Sequence, residues 1–216
     1  MKDKQTYLTK GSFALLLFVI LGYVVKFYPE QLIPFDSSIQ TAIRGDLPAI
    51  LTTIFRGITR LIDLPIVISW AILLTVIFYL KKWKSESLLV AGNLSLAGIL
   101  IVSLKHLYQR PRPEILHLVE EKGFSFPSGH SLGTFMILGA IAIVLAQRLA
   151  KKESKIAVYG ITGLLIFLVG LSRIYVGVHY LTDVLAGFTL AFGLLNAIYP
   201  TYDRIRFEWR FQSKQK

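Results

Sequence analysis

Six long apolar runs, separated by short polar and basic segments, leave few folds open to this 216-residue chain. They cover residues 11–28, 64–80, 87–104, 129–146, 156–171 and 184–199. A helix needs about 20 apolar residues, within a usable range of about 17–25, to cross the hydrocarbon core of a bilayer. The shorter runs reach that length when flanking Tyr, Trp and Lys side chains snorkel toward the interface. Inside the bilayer, backbone polar groups must find partners within the protein, and continuous apolar runs do this as helices. The sequence therefore predicts an all-α fold: a six-transmembrane-helix bundle forming a single integral-membrane domain over residues 1–216. Composition agrees, because 54% of residues are hydrophobic and the mean hydropathy is +0.57, where a soluble domain has about 45–50% apolar residues. Cysteine is absent, which excludes disulfides, thiolate nucleophiles and cysteine-ligated metals. The first run follows Lys2, Lys4 and Lys10 as a signal peptide would. What comes after it is Lys26-Phe27-Tyr28-Pro29, not a small-residue cleavage site, so it reads as a retained first helix.

The net charge of +11 would suit a nucleic-acid binder if the cations formed a stripe with interleaved aromatics. Instead many of them sit at the ends of the apolar runs, the pattern of a protein facing anionic headgroups. Nucleic acid is therefore not an expected partner. With the N-terminus in the cytoplasm, the inside segments carry Lys2, Lys4 and Lys10; Lys81, Lys82 and Lys84; Arg148, Lys151, Lys152 and Lys155; and Arg204, Arg206, Arg210, Lys214 and Lys216. The positive-inside rule then places both termini in the cytoplasm of a multi-pass plasma-membrane protein, with outer segments at 29–63, 105–128 and 172–183. In the first of these, Ile50, Leu51, Ile54, Ile58 and Leu61 recur at helical spacing, with Arg56 and Arg60 elsewhere on the wheel. One or two short interfacial helices fit, begun or separated by Pro34 and Pro48. No internal repeat or low-complexity segment is present.

The outer segments concentrate chemically capable residues in three clusters: Lys105 to Pro113, Phe126 to His130, and Ser172 to Asp183. Together they suit a phosphate. Lys105, Arg112 and Arg173 are cations, and Arg can grip phosphate through two parallel hydrogen bonds. Ser128 and Gly129 stand at an expected helix N-terminus, where free N–H groups and the helix dipole favour an anion. His179 and Asp183 are four residues apart and would share a helix face, so the carboxylate could fix the imidazole tautomer. His130 has an unperturbed pKa of about 6.5, suited to a proton donor near neutrality.

These clusters carry a family resemblance. Lys105 with Arg112-Pro113, then Pro127-Ser128-Gly129-His130, then Ser172-Arg173 with His179 and Asp183 reproduce, in order and spacing, the three-part signature of the type 2 phosphatidic acid phosphatase superfamily. That family shares its active site with vanadium haloperoxidases. The resemblance implies a membrane lipid phosphatase in which His179 attacks phosphorus, Asp183 orients it, and His130 protonates the leaving oxygen. Lys105, Arg112, Ser128, Gly129 and Arg173 would hold the phosphoryl oxygens. It implies no metal, no cofactor and no obligate protein partner, only a lipid phosphate drawn from the bilayer. Undecaprenyl pyrophosphate, phosphatidylglycerophosphate and phosphatidic acid compete as substrates; the small size and compact loops resemble bacterial members and favour the first two, though the signature residues see only phosphate.

Blander readings stand beside this one. Lys105 and Arg112 taken alone could be juxtamembrane charges against headgroups, and the Arg173–Asp183 stretch could be a structural ion pair. His106 and His117 match no motif position and read as ordinary loop residues. Arg110 and Glu114 flank the first cluster, solvated by default or else touching a headgroup, and Tyr108, Phe124 and Phe126 read as interfacial aromatics or the lining of a lipid route. Gly133, Gly139, Gly170 and Gly187 read as sites of close helix packing. A non-catalytic lipid-binding or transport relative is the second function class, although such a protein has no need for His130, His179 and Asp183 together. A haloperoxidase is the third, and six spans argue against it because those relatives are soluble.

Overall fold

This computed structural model describes residues 3–212, and among them the chain forms eight α-helices. These are α1 (Lys4–Phe27), α2 (Pro29–Arg44), α3 (Ala49–Leu61), α4 (Leu64–Leu80), α5 (Lys84–Tyr108), α6 (Gly129–Arg148), α7 (Lys152–Tyr175) and α8 (Leu181–Phe211). Five of them, α1, α5, α6, α7 and α8, are individually long and apolar enough to span a bilayer. The sixth expected span, α4, has 17 residues, at the short end of the range. It passes the same test only together with α3, from which it bends by 42°. The six-span plan and the helical segment before the second span both hold. Lys2, Lys214 and Lys216, counted above among the inside charges, lie outside the described residues.

The expected helix boundaries shift in informative ways. Pro34 does not begin a helix. α2 starts at Pro29, a first-turn position where a missing N–H costs nothing, and Pro34 sits inside it. α2 also buries polar residues. Its buried residues are Asp36, Gln40 and Arg44, one polar stripe at i, i+4, i+8, while Ile33 and Phe35 are exposed. Glu30, Gln31, Ser37, Ser38 and Thr41 are exposed beside them, so the outer face mixes apolar and polar residues, as suits a helix lying at the interface. Pro48 does stand where expected, as the N-cap of α3.

α6 and α8 form the centre. One core cluster joins Val67 and Ala71 of α4, Val90 of α5, Ile137 and Val144 of α6 and Leu195 of α8. A second joins Phe18 of α1, Ala97 of α5, Met136 of α6 and Leu190 of α8. By contrast Phe13, Trp70, Ile99 and Phe167 point outward, as lipid-facing residues should. At Gly187 a Cβ would lie 3.0 Å from the Ser128 carbonyl oxygen and 3.1 Å from the Leu132 nitrogen, so the absent side chain lets α8 touch the first turn of α6. Gly139 and Gly170 are similarly crowded by Leu195 and by Phe188, whereas Gly133 makes only ordinary contacts. At the opposite end of the bundle, Glu86 is fully buried and accepts from Arg148 at 2.6 Å, with Arg206 and Arg210 at 3.4 and 3.6 Å. That ion cluster ties α5, α6 and α8 together.

Candidate active site

Two chain reversals at one end of the bundle, between α5 and α6 and between α7 and α8, gather the three clusters. α5 stops at Tyr108 because Gln109 adopts a left-handed conformation (φ 52°, ψ 32°), and Pro111 and Pro113 forbid renewed helix. The chain then runs as a loop to Ser128, which caps α6 by accepting from the Ser131 backbone N–H at 3.4 Å and the Ser131 hydroxyl at 3.0 Å. Its own N–H donates to the Asp183 carbonyl oxygen at 3.0 Å, pinning α6 to α8. Between α7 and α8 the chain turns at Gly177, whose φ of 87° suits glycine.

His179 and Asp183 meet, but not on one helix face. α8 begins at Leu181, and His179 lies in the bend before it. Asp183 occupies the third helical position and folds back to accept from the Tyr180 backbone N–H at 2.9 Å. The same carboxylate oxygen thereby stands 3.4 Å from His179 Nδ1, within ion-pair range but without hydrogen-bond geometry. The other ring nitrogen, Nε2, is 3.4 Å from Arg112 Nη1.

Arg112 is wrapped by its own loop and by the α7–α8 turn. It donates to the carbonyl oxygens of Gly123 at 3.0 Å, Lys122 at 3.0 Å, Phe124 at 3.3 Å and Val178 at 2.8 Å. Arg173 is buried on α7 and donates to Thr59 Oγ1 at 2.6 Å and to the Glu121 carboxylate, while its Nε has no partner. Glu121 spans the two guanidiniums, its other oxygen lying 3.5 Å from Arg112 Nη2. Lys105 belongs to the same electrostatic group, with Arg112, Glu121, Arg173 and Asp183 around it. Burial, then Arg173, Arg112 and Lys105, hold the His179 pKa well below its ordinary value. Burial alone would raise the Glu121 pKa, but Arg173, the two histidines and Arg112 hold it below the usual carboxylate range.

His130 lies at the start of α6, and its Nε2 is 3.0 Å from Asp63 Oδ1. Asp63 caps α4 at the α3–α4 bend, accepting from the Leu64 N–H. Beyond these residues a cleft of about 820 Å³ opens outward, lined by Thr59, Asp63, His117, Glu121 and Arg173 among others. His117, read as an ordinary loop residue, borders this cleft and bonds the Pro113 carbonyl at 2.8 Å.

Arg110 corrects the sequence reading outright. It is 4% exposed, not solvated, and joins Asp183 at 2.7 Å to Asp36 at 2.8 Å. Burial alone would lower its pKa, but Asp183 and Asp36 outweigh that and raise it. Asp36, Thr59, Asp63 and Glu121 escaped sequence reasoning altogether. The one sequence signal that bears on them, the polar i, i+4 stripe of α2, went unread.

The PAP2 superfamily model matches residues 86–207. Phosphatidylglycerophosphatase B of Bacillus subtilis (strain 168) is 38% identical over 138 residues, 63% of this chain and 66% of that protein. Undecaprenyl-diphosphatase BcrC of the same strain is 33% identical over 132 residues, 58% of this chain and 63% of its own length. The alignments thus span just under two thirds of these curated relatives. Among solved structures, the transmembrane PAP2 type phosphatidylglycerolphosphate phosphatase from Bacillus subtilis superposes with a TM-score of 0.82 at 30% identity, covering 91% of this chain and 97% of that one. Aquifex aeolicus LpxE gives a TM-score of 0.56 at 26% identity, covering 74% and 92%. The family match extends over more than half of the chain and takes in all three clusters, and the chain belongs to the PAP2 superfamily.

Proposed function

We propose that this protein is a membrane phosphatase that hydrolyses a lipid phosphate through a phosphohistidine on His179. The observation that carries the reading is the Glu121 carboxylate bridging Arg173 and Arg112, the latter with its Nη1 3.4 Å from the Nε2 of His179. An oxyanion already rests where phosphoryl oxygens would bind, and substrate would displace it. Lys105 and the Gly129 backbone complete the cradle, with Ser128 acting chiefly through the cap it gives α6. Cations aimed at the charge that shifts in phosphoryl transfer are the main means of catalysis in such reactions.

In the first step His179 Nε2 attacks phosphorus. A P–N bond forms as the P–O bond to the leaving group breaks, and His130 gives a proton to the departing oxygen. Asp183 faces Nδ1 and stabilises the positive imidazole. Water then attacks phosphorus, His130 takes one of its protons, and the P–N bond breaks to release inorganic phosphate. Asp63 Oδ1, 3.0 Å from His130 Nε2, holds the imidazole in place for proton transfer.

The two curated relatives suggest phosphatidylglycerophosphate and undecaprenyl diphosphate as the first substrates to test. Basic residues at the α4–α5 and α6–α7 connections and at the end of α8 support cytoplasmic termini and a site on the outer face of the plasma membrane. The test is phosphate release in detergent from these two lipids, phosphatidic acid and a soluble sugar phosphate. Turnover of at least one lipid, preferred in kcat/KM over the sugar phosphate, is expected. No release from any lipid would overturn the reading.

A further inference from the structure

Behind the candidate nucleophile lies a second layer of charge that begins outside the family-matched segment 86–207. Asp36, on α2, is fully buried. One of its oxygens accepts from Arg110 at 2.8 Å and from the Thr182 hydroxyl at 2.6 Å, and the other accepts from the Thr182 N–H at 3.0 Å. Arg110 uses the other arm of its fork for Asp183 at 2.7 Å and the Thr182 hydroxyl at 2.7 Å, and its guanidinium lies over the Tyr180 ring at 4.1 Å. One turn along α2, Gln40 donates to the carbonyl oxygens of His179 at 3.3 Å and Ile174 at 3.4 Å. The α2 stripe therefore grips both the segment carrying His179 and the first turn of α8.

We propose that Asp36 and Arg110 are positioning residues, holding Asp183 behind His179 through this buried relay. The proposal rests on the phosphatase reading above. Removing one partner from a buried, hydrogen-bonded charge network leaves the others uncompensated, so the relay has one well-defined arrangement. Its charge also matters. In front of His179 stand Arg112 of the loop, Arg173 of α7 and Lys105 of α5, with Glu121 between them. Behind it stand two carboxylates, Asp183 and Asp36, with a single guanidinium. The rear is thus net negative, opposing the cationic front just where an imidazolium would develop during transfer.

Asp36→Asn keeps the shape and removes the charge. It should lower kcat about tenfold or more with KM within about twofold, as loss of an outer-shell partner does. With less negative charge behind it, His179 should protonate at lower pH, so the acid limb of the kcat/KM profile should move down. Arg110→Lys keeps a charge but loses the fork. It should lose kcat to a similar degree with the acid limb unmoved. A brace with no bearing on the reaction would alter only the melting temperature. Wild-type kcat and an unmoved acid limb in folded Asp36→Asn would overturn the proposal. Should that variant not be recovered as a monodisperse folded protein, wild-type kcat in Arg110→Lys would overturn it equally. A wild-type protein without lipid phosphatase activity would instead defeat the parent reading.

Discussion

Replacing Gly187 with Ala tests how closely the candidate site depends on the contact between α6 and α8. The added Cβ would stand 3.0 Å from the Ser128 carbonyl oxygen, 3.0 Å from the Ser131 Cβ and 3.1 Å from the Leu132 nitrogen. Comfortable separations between carbon atoms are about 3.5–4.0 Å, so α8 must retreat by roughly 0.5 Å. The Ser128 N–H to Asp183 carbonyl bond, now 3.0 Å, would stretch to the edge of hydrogen bonding. Asp183 would move with it, away from a His179 contact that is already 3.4 Å long. Overpacking of this kind costs about 1–3 kcal/mol in stability. A displacement of about 1 Å at reacting groups can cost about 100-fold in rate, so half of that suggests roughly tenfold. Gly160 on α7 is the control, because a Cβ there meets nothing within 4 Å; Ala should be neutral, or stabilise the helix by about 0.5–1 kcal/mol. Steady-state kinetics on a lipid phosphate and thermal unfolding in detergent would measure both. A Gly187→Ala enzyme within twofold of wild type, or a Gly160→Ala enzyme equally impaired, would refute the reasoning.

His130→Ala should lose about 10²–10⁴-fold on alkyl phosphates and recover part of that on an aryl phosphate whose leaving group needs no proton; equal loss on both would exclude a general acid. Because burial and three cations depress the His179 pKa well below 6.5, its neutral, nucleophilic form persists as pH falls through that value. kcat/KM should accordingly show no decline as pH falls from 7 to 6, and an acid limb centred near 6.5 would contradict this assignment. Single cysteines at Lys122 and Glu30, introduced into a chain with no native cysteine, should react with an impermeant reagent in intact cells while one at Lys152 should not. The reverse pattern would place the site on the cytoplasmic side.

Hydropathy carried the bundle almost unaided, since length and apolar continuity are local properties of each run. The clusters around Lys105, Ser128 and His179 were legible because their spacings are fixed by chain reversals at helix ends. Partners from distant segments were not. Asp36 meets Arg110 across 74 positions and Asp63 meets His130 across 67, and no periodicity encodes such pairings. The solvated reading of Arg110 failed for that reason: without α2 folded over the loop, nothing in Arg110-Pro-Arg112-Pro distinguishes the buried arginine from its neighbour. The helix-face reading of His179 and Asp183 reached the right pair by the wrong geometry, because Asp183 turns back as a cap rather than stacking one turn above. The stripe Asp36-Gln40-Arg44 is visible as polar residues at four-residue spacing, but Glu30, Gln31, Ser37, Ser38 and Thr41 on the same helix are polar too, so spacing alone did not mark it as the buried face.

The central claim is the covalent bond between phosphorus and His179, and trapping it is the most direct measurement. Wild-type protein mixed with a radiolabelled lipid phosphate and quenched during turnover should carry acid-labile, alkali-stable phosphate at His179. His179→Ala should carry none and release no phosphate above background. Turnover retained by His179→Ala, or label found on another residue, would contradict the account.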